Sequence, residues 1–316
     1  MFWTSWFLAA LAVILAWPVP VFLSRAAWPA RAPFAAMVLW QSIALAGGLS
    51  MIGAMLCWGL VPLGETLPSG LHGLLGIVLG SESLDALGIL HAFALSAAAL
   101  LTAHLVFTLW LTYFRINRQR RKHRDLLHLL SSPSHDRPGT LVLNHQAPVA
   151  YCLPGGSRSV TVLSDGLLEL LSPDELRAVL LHEQTHLAQR HHLLLWAFAA
   201  WRSALPWLPT SKLAQESVSS LIEIMADDVA LRSVDKPTLV TAIALVASGS
   251  DQLPADAIIA GQAAQIDTPT TTSARLSKLL GTAPALSLFA KLCVVAAALL
   301  LLAVPTALLV VPGILP

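Results

Sequence analysis

Four long apolar runs, residues 1–24, 33–63, 86–114 and 286–311, set the pattern of the chain. Each is long enough to cross a bilayer, which takes about twenty apolar residues as a helix. The first three contain no Asp, Glu, Lys or Arg, and the fourth holds only Lys291, whose ammonium can reach the interface from near the start of the run. The pattern therefore predicts four transmembrane helices. The first run lacks a basic leader and a cleavage site, so we expect it to be an uncleaved span.

Between the third and fourth runs the chain is polar and carries shorter patterns. Apolar stretches at 140–144, 148–154 and 159–163 are separated by turn residues and predict three strands of a small sheet. Residues 165–171 predict a short helix. The sequence Ser-Pro-Asp-Glu at 172–175 is a capping box with proline at the first helical position, which predicts that a longer helix begins there.

Four further segments follow that helix. Residues 193–209 are apolar but would measure only about 25 Å as a helix, less than the hydrocarbon core of about 30 Å. They also contain Arg202, so we expect a helix lying on the membrane surface or buried against the spans. Residues 217–233 predict a helix. Residues 251–272, rich in Pro, Ala, Gln and Thr, predict a mobile loop before a short helix at 273–280.

The composition places the chain in the membrane class. It is 56% hydrophobic and only 12% charged, whereas soluble domains are about a quarter charged. The three cysteines are too widely separated to form a metal-binding or disulfide pattern.

The distribution of positive charge predicts the orientation. Arg25 and Arg31 follow the first run, and a basic cluster at 115–124 follows the third, whereas residues 64–85 contain acidic residues but no Lys or Arg. Cytoplasmic loops carry the Lys and Arg excess, so both basic segments are expected inside. A basic cluster directly after a span favours anionic lipid as its partner, and we expect no direct nucleic acid binding.

These patterns divide the chain into three parts. Residues 1–124 form a membrane domain with three spans, residues 125–284 a cytoplasmic domain, and residues 285–316 the fourth span. We therefore expect a multi-pass protein of the cell membrane whose polar domain faces the cytoplasm. Its fold class is a multi-pass α-helical membrane protein with a mainly α domain of α+β type that carries a small β-sheet.

Residues 182–186 read His-Glu-Gln-Thr-His and carry the candidate chemistry. Residues four apart lie on one face of a helix, so His182 and His186 would direct two imidazoles at one Zn²⁺ ion. Glu183 would then lie beside the metal and take a proton from the attacking water. The alternative, two polar histidines on an amphipathic helix, is disfavoured because the motif lies inside a helix with a clear start signal.

A third ligand is expected from the helix predicted at 217–233. Glu223 and Asp227 are four residues apart on it. That spacing fits a carboxylate ligand, Glu223, with Asp227 orienting a ligand histidine through its other ring nitrogen. The alternative for both residues is a solvated helix face.

The segments 182–186 and 223–227, His-Glu-Gln-Thr-His and Glu-Ile-Met-Ala-Asp, together resemble the gluzincin pattern of membrane metallopeptidases. The chain resembles most the BlaR/MecR-type family, and HtpX-type quality-control proteases share both motifs. The resemblance implies a gluzincin-type zinc protease domain on the cytoplasmic side. The BlaR/MecR-type family often has an aspartate after the second histidine, where this chain reads Gln-Arg-His-His at 189–192. The chain ends at Pro316, so we expect no C-terminal penicillin-binding sensor domain.

The resemblance also implies the remaining roles. A further group usually stabilises the oxyanion in gluzincins, and the candidates are His191, His192 and Arg232. The implied function is a zinc metalloendopeptidase that cleaves a cytosolic regulator, such as a transcriptional repressor, after a membrane signal. The alternatives are HtpX-like turnover of damaged membrane proteins and a non-proteolytic membrane receptor that contains zinc.

Overall fold

The structure is a computed structural model that describes residues 1–81, 83, 87–134, 137–154, 159–250 and 269–310. These residues are mainly helical and include a small mixed sheet, as the sequence predicts. The helices in the described part are α1 (Phe2–Ala16), α2 (Pro18–Arg25), α3 (Pro33–Leu60), α4 (Leu67–Val78), α5 (Ile89–Leu130), α6 (Asp165–Leu170), α7 (Pro173–Ala188), α8 (His191–Ala204), α9 (Pro209–Ala230), α10 (Lys236–Ser250), α11 (Pro269–Leu280) and α12 (Leu288–Val310). The strands are β1 (Ser131–Pro133), β2 (Thr140–Leu143), β3 (Ala150–Leu153) and β4 (Val160–Ser164).

The chain forms two compact units. Unit 1 consists of Met1–Trp110, Ala200–Ser217 and Leu286–Pro316, and unit 2 consists of Leu111–Ala199 and Val218–Ala285. Ala200–Ser217 thus belongs with the apolar helices, which agrees for residues 200–209 with the second of the two expectations for 193–209, burial against the spans.

Unit 1 contains the long apolar helices. Within the described residues, four helical segments are long and apolar enough to cross a membrane: Phe2–Arg25, Pro33–Leu63, Ile89–Leu127 and Leu288–Val310. Each overlaps one of the four predicted runs, of which residues 86 and 311 lie outside the described part. The third helix does not end at residue 114 as predicted but continues through the basic cluster to Leu130. Membrane insertion and its orientation stay predictions.

Small residues let the helices of unit 1 approach closely. A Cβ atom built on Gly53 of α3 would lie 3.0 Å from the Leu309 side chain of α12 and 3.1 Å from that of Leu8 in α1. Glycine and alanine at such crossings are the usual means of packing helices in lipid. Leu8 of α1 and Cys57 of α3 belong to one buried cluster, and the partly buried Leu309 packs against it.

Between α1 and α2, unit 1 supplies a replacement hydrogen-bond donor at the break in its first long apolar segment. Pro20 has no N–H group to donate to the Ala16 carbonyl, so that carbonyl loses its helical partner. The Thr210 hydroxyl donates instead, at 2.5 Å to Ala16 and 2.9 Å to the Leu15 carbonyl. A buried carbonyl in an apolar setting needs such a partner.

Unit 2 is built on a four-stranded sheet in the order β1-β2-β4-β3. β2 and β4 are parallel, and β1 and β3 run antiparallel to their neighbours on the two edges. Leu127, Tyr151 and Val162 form a buried cluster that includes the sheet, and Leu163 and Leu167 continue the core into α6 and α7. α7 packs against the edge strand β3, which sets the helix beside the sheet.

Ser164 connects the sheet to the helices. Its buried hydroxyl accepts from the backbone N–H of Leu167, which caps α6, and from that of Val149, and it donates to the Ala147 carbonyl. Two residues further along the chain, the N–H of Gly166 donates to the His145 carbonyl at 3.0 Å. The turn at 145–149 is therefore held directly against the start of α6.

Some elements were not predicted from sequence. α4 lies within residues 64–85, the acidic segment between the second and third apolar runs, for which the sequence predicted a loop and no helix. There Gly70 and Gly73 permit close contact with Leu60 and Leu63. β1 has no apolar alternation and exists through its pairing with β2.

Three helices differ from their predicted ranges. α9 begins at Pro209, eight residues before the predicted start at 217, and α10 was not predicted at all. The predicted loop at 251–272 is outside the described residues up to 268. Its last four residues, 269–272, belong to α11.

Candidate active site

The His-Glu-Gln-Thr-His segment lies inside α7, as its start signal predicts. The Ser172 hydroxyl accepts from the Glu175 N–H, and the Glu175 carboxylate accepts from the Ser172 N–H at 2.8 Å, which completes the capping box. The buried face of α7 includes His182, Thr185 and His186. The helical period thus places both histidines towards the interior of unit 2.

Three predicted ligands converge at one point. His182 Nε2 lies 3.0 Å from Glu223 Oε2 and 3.1 Å from His186 Nε2, and His186 Nε2 lies 3.5 Å from Glu223 Oε1. Bonds of about 2.0–2.2 Å in a tetrahedral zinc site place ligand atoms roughly 3.4 Å apart. Two imidazoles and one carboxylate are also a donor set of catalytic zinc sites. His182, His186 and Glu223 therefore fit a zinc ion.

Asp227 and Arg275 lie on the side of His182 that faces away from the three converging ligand atoms. The His182 Nδ1 atom lies 2.9 Å from Asp227 Oδ1, so the ring can donate there while its Nε2 faces the ligand cluster. Arg275 makes a two-point contact with the same carboxylate, from Nε to Oδ2 and from Nη2 to Oδ1, each at 2.8 Å. Its Nη1 atom is 3.7 Å from Glu223 Oε2. Both side chains of the Asp227–Arg275 pair are buried.

Sequence reasoning missed the role of Arg275. Leu276 and Leu279, its neighbours on α11, pack into the core of unit 2, so Arg275 lies on the inward face of that helix. An arginine on a buried face needs an anionic partner, which was the available signal. The partner itself is 48 residues away in sequence, and no local pattern identifies it.

The charged partners shift the pKa values of the carboxylates. Burial by itself raises the pKa of Glu223, but the close contacts of its carboxylate with the rings of His182 and His186 outweigh burial and hold the pKa well below its usual range. Burial also opposes ionisation of Asp227, and the hydrogen bonds from His182 and Arg275 outweigh it, so its pKa is lowered too. Both carboxylates are therefore anionic, as a cation site requires.

Glu183 lies next to His182 on α7 and is half-buried. Burial raises the pKa of its carboxyl, while the fields of His182 and His186 act in the opposite direction. A carboxyl whose pKa is raised towards neutrality is suited to accept a proton and return it. The structure thus brings the predicted base to the same centre as the three candidate ligands.

The three candidate oxyanion residues have different surroundings. His191 is buried, with one ring nitrogen 3.0 Å from His186 Nδ1 and the other 2.9 Å from Gln189 Oε1. Burial and the nearby His186 lower the pKa of His191 to about 4, so the ring is neutral at neutral pH. His192 is half-buried and Arg232 is exposed. Among the described contacts, neither makes a hydrogen bond or ion pair with the three candidate ligands.

The comparisons with known proteins extend this picture. Searches of curated proteins and of solved structures return no match. The sequence model of peptidase family M48 matches residues 117–287, which is more than half of the chain and includes the three candidate ligands and Glu183. The chain therefore belongs to peptidase family M48.

Proposed function

We propose that the chain is a membrane-bound zinc endopeptidase that cleaves proteins on the cytoplasmic side. The observation that carries the proposal is the convergence of His182, His186 and Glu223, with Glu183 beside them. Membership of family M48 supports a peptidase, and the members of that family are metallopeptidases, typically with zinc.

The residues of the site have separate tasks in this proposal. A zinc ion held by His182, His186 and Glu223 would polarise the scissile carbonyl and lower the pKa of water. Glu183 accepts the proton of the attacking water and then gives it to the leaving amine. Hydrolysis consumes one water, whose oxygen joins the carbonyl carbon while the peptide C–N bond breaks. Asp227 holds the ring of His182 in place, since its carboxylate accepts from Nδ1.

The membrane part of the proposal rests on the four long apolar helices and on the basic cluster at 115–124. Positive charge next to a span favours the cytoplasmic side. Unit 2 begins at Leu111, immediately before that cluster, so the candidate site is expected in the same compartment.

For the substrate, we propose regulated cleavage of a cytosolic protein such as a transcriptional repressor. Support comes from the resemblance to the BlaR/MecR-type family in both motifs and in the layout of apolar runs. Turnover of damaged membrane proteins is the second candidate, because HtpX-type proteases share the same two motifs. A zinc-containing receptor without proteolysis fits less well, since structural zinc sites use four protein ligands and no base.

A measurement of metal content and proteolysis on one preparation tests the proposed activity. Purified full-length protein is expected to hold about one zinc per chain. His186→Ala should lose most of the metal and all cleavage, because a ligand is missing. Gln184→Ala is the matched control, since Gln184 is exposed on the same helix. Stoichiometric zinc in the His186→Ala protein would contradict the ligand assignment.

Substrate profiling then separates the two candidate functions. Regulated cleavage predicts that one or a few cytosolic proteins accumulate when the Glu183→Gln variant replaces the wild type. General turnover predicts accumulation of many misfolded membrane proteins. A genome neighbourhood with a winged-helix repressor next to the gene would favour the first result.

A further inference from the structure

His186 has a buried partner on the side away from the ligand cluster. Its Nδ1 atom lies 3.0 Å from Nδ1 of His191, and Nε2 of His191 lies 2.9 Å from the Gln189 side-chain oxygen. His186 and His191 are 7% and 2% exposed, so solvent does not compete for these contacts.

The contacts define where the protons are. The Gln189 amide oxygen can only accept, so His191 must donate to it from Nε2. A neutral imidazole carries a single N–H, so Nδ1 of His191 is left as an acceptor. His186 must then donate from Nδ1, and its Nε2 lone pair is free on the side of His182 and Glu223. This is the tautomer that a zinc ligand needs.

A left-handed residue brings His191 to this position. On a continuous helix, a residue five positions after His186 would be rotated by about 140° from it. α7 instead ends at Ala188, and Arg190 adopts a φ of 51°, which is rare for a residue with a side chain. Its N–H donates to the Leu187 carbonyl at 3.1 Å, and α8 begins at the next residue. The turn folds His191 back onto His186.

We propose that His191 is a positioning residue for His186, held in its tautomer by Gln189, and that it does not stabilise the oxyanion. The inference rests on the proposed zinc site. The two ligand histidines would then have different partners, since His182 donates to the carboxylate of Asp227 and His186 to a neutral ring. The Gln-Arg-His segment at 189–191 supplies that ring where the BlaR/MecR-type family often has an aspartate.

The test is the zinc affinity of full-length protein, measured in detergent by competition with a chelator. His191→Phe keeps the ring volume but removes both nitrogens, and loss of such a partner typically weakens metal binding by about 10- to 100-fold. His191→Gln should weaken zinc binding as much as His191→Phe does. Its side-chain amide reaches the position of Nε2 but not that of Nδ1, so it cannot accept from His186. His191→Asn should stay within a few-fold of wild type, since its Oδ1 atom can take the place of Nδ1 and accept from His186.

Three further measurements complete the design. His192→Phe is the matched control, and it should leave zinc affinity unchanged. The visible absorption of the cobalt-loaded protein reports ligand geometry, and it should change in His191→Phe and His191→Gln but not in His191→Asn. Gln189→Leu should weaken zinc binding because it releases the His191 tautomer, whereas Gln189→Glu should not, because its carboxylate still accepts from Nε2.

Each contrary outcome overturns the inference in a recognisable way. Equal losses of zinc affinity in the Phe, Gln and Asn variants would mean that His191 only fills space. Unchanged zinc affinity with lost cleavage in His191→Phe would assign His191 to the oxyanion instead. A wild-type chain that binds no stoichiometric zinc would remove the proposed function itself, and with it the basis of the inference.

Discussion

At the candidate site, the pKa values of neighbouring carboxyl groups are shifted in opposite directions. Neighbouring histidine rings hold the pKa of Glu223 low, and His182 and Arg275 hold that of Asp227 low, while burial keeps the pKa of Glu183 above its ordinary value. Carboxyls proposed for different tasks thus lie in one cluster with pKa values shifted in opposite directions. The environment of each, and not its residue type, separates a ligand from a base.

Glu183→Gln tests this separation. The change keeps the size and hydrogen bonding of the side chain but removes its basicity. General-base assistance is typically worth about a hundred- to ten-thousand-fold in rate, so cleavage should fall by that factor. Zinc content should not change, because Glu183 is not one of the three converging ligands. Both quantities are measured on the same preparation, with wild type in parallel. Wild-type cleavage by the variant would show that another group is the base.

At the scale of elements, ion pairs of unequal burial join α9 and α11. Arg275 and Asp227 are almost fully buried, whereas the side chains of Lys278 and Asp228 are 25% and 40% exposed. Removing one partner of a buried pair leaves an uncompensated charge, which costs several kcal/mol. An exposed pair contributes little because water already solvates both charges. The inner pair therefore connects α9, which carries the proposed ligand Glu223, to α11.

Arg275→Met should lower the free energy of unfolding of detergent-solubilised protein by about 3–5 kcal/mol. Lys278→Met is the control on the same helix, one turn away, and it should cost less than about 1 kcal/mol. Arg275→Lys should lie between them, because a single ammonium cannot reproduce the two-point contact. Denaturant unfolding of the three variants gives the comparison. Equal losses for Arg275→Met and Lys278→Met would contradict a special role for the inner pair.

The start of α6 offers a second test at this scale. A Cβ atom on Gly166 would lie 1.8 Å from the Gln146 carbonyl oxygen, which belongs to the backbone and cannot rotate away. Gly166→Ala must therefore displace the turn that Ser164 holds, at a cost of about 3 kcal/mol or more. Gly88→Ala, where the nearest atom is 3.7 Å away, is the control and should be nearly neutral. Unfolding free energies that do not differ between the two variants would show that the turn is not tightly constrained.

At the scale of the whole molecule, the four apolar helices and the charge distribution favour insertion in a membrane. Large apolar side chains on α5 and α12, such as Phe93, Leu100, Phe289 and Leu299, are exposed. An apolar surface of this kind is unfavourable in water but suits lipid.

Topology reporters test the predicted orientation. A reporter fused after Pro316 should be exterior, and one inserted near Ser134 should be cytoplasmic, because the basic cluster at 115–124 is retained inside. An insertion after Glu65 should be exterior and serves as the reference for that side. Fusions at Pro316 and Ser134 found on the same side would remove the fourth span from the topology.

The sequence by itself determined the features that depend on short-range patterns. Continuous apolar runs predict the four long helices, and alternation between turn residues predicts β2, β3 and β4 within two residues of their ends. The capping box at 172–175 and the spacing of His182 and His186 place two imidazoles on one helix face, since the helical period is a local property. Glu223 and Asp227 followed from the same spacing argument.

Only the tertiary structure decided which distant side chains meet. Arg275 reaches Asp227 across 48 residues, and β1 exists because β2 pairs with it. His191 contacts His186 because Arg190 takes a left-handed conformation between two helices, where a continuous helix would have turned the ring away. A buried ion pair, an edge strand and a hydrogen bond across a turn each depend on the arrangement of the chain in space. Local propensity carries no information about that arrangement, because the same residues are compatible with a solvated surface.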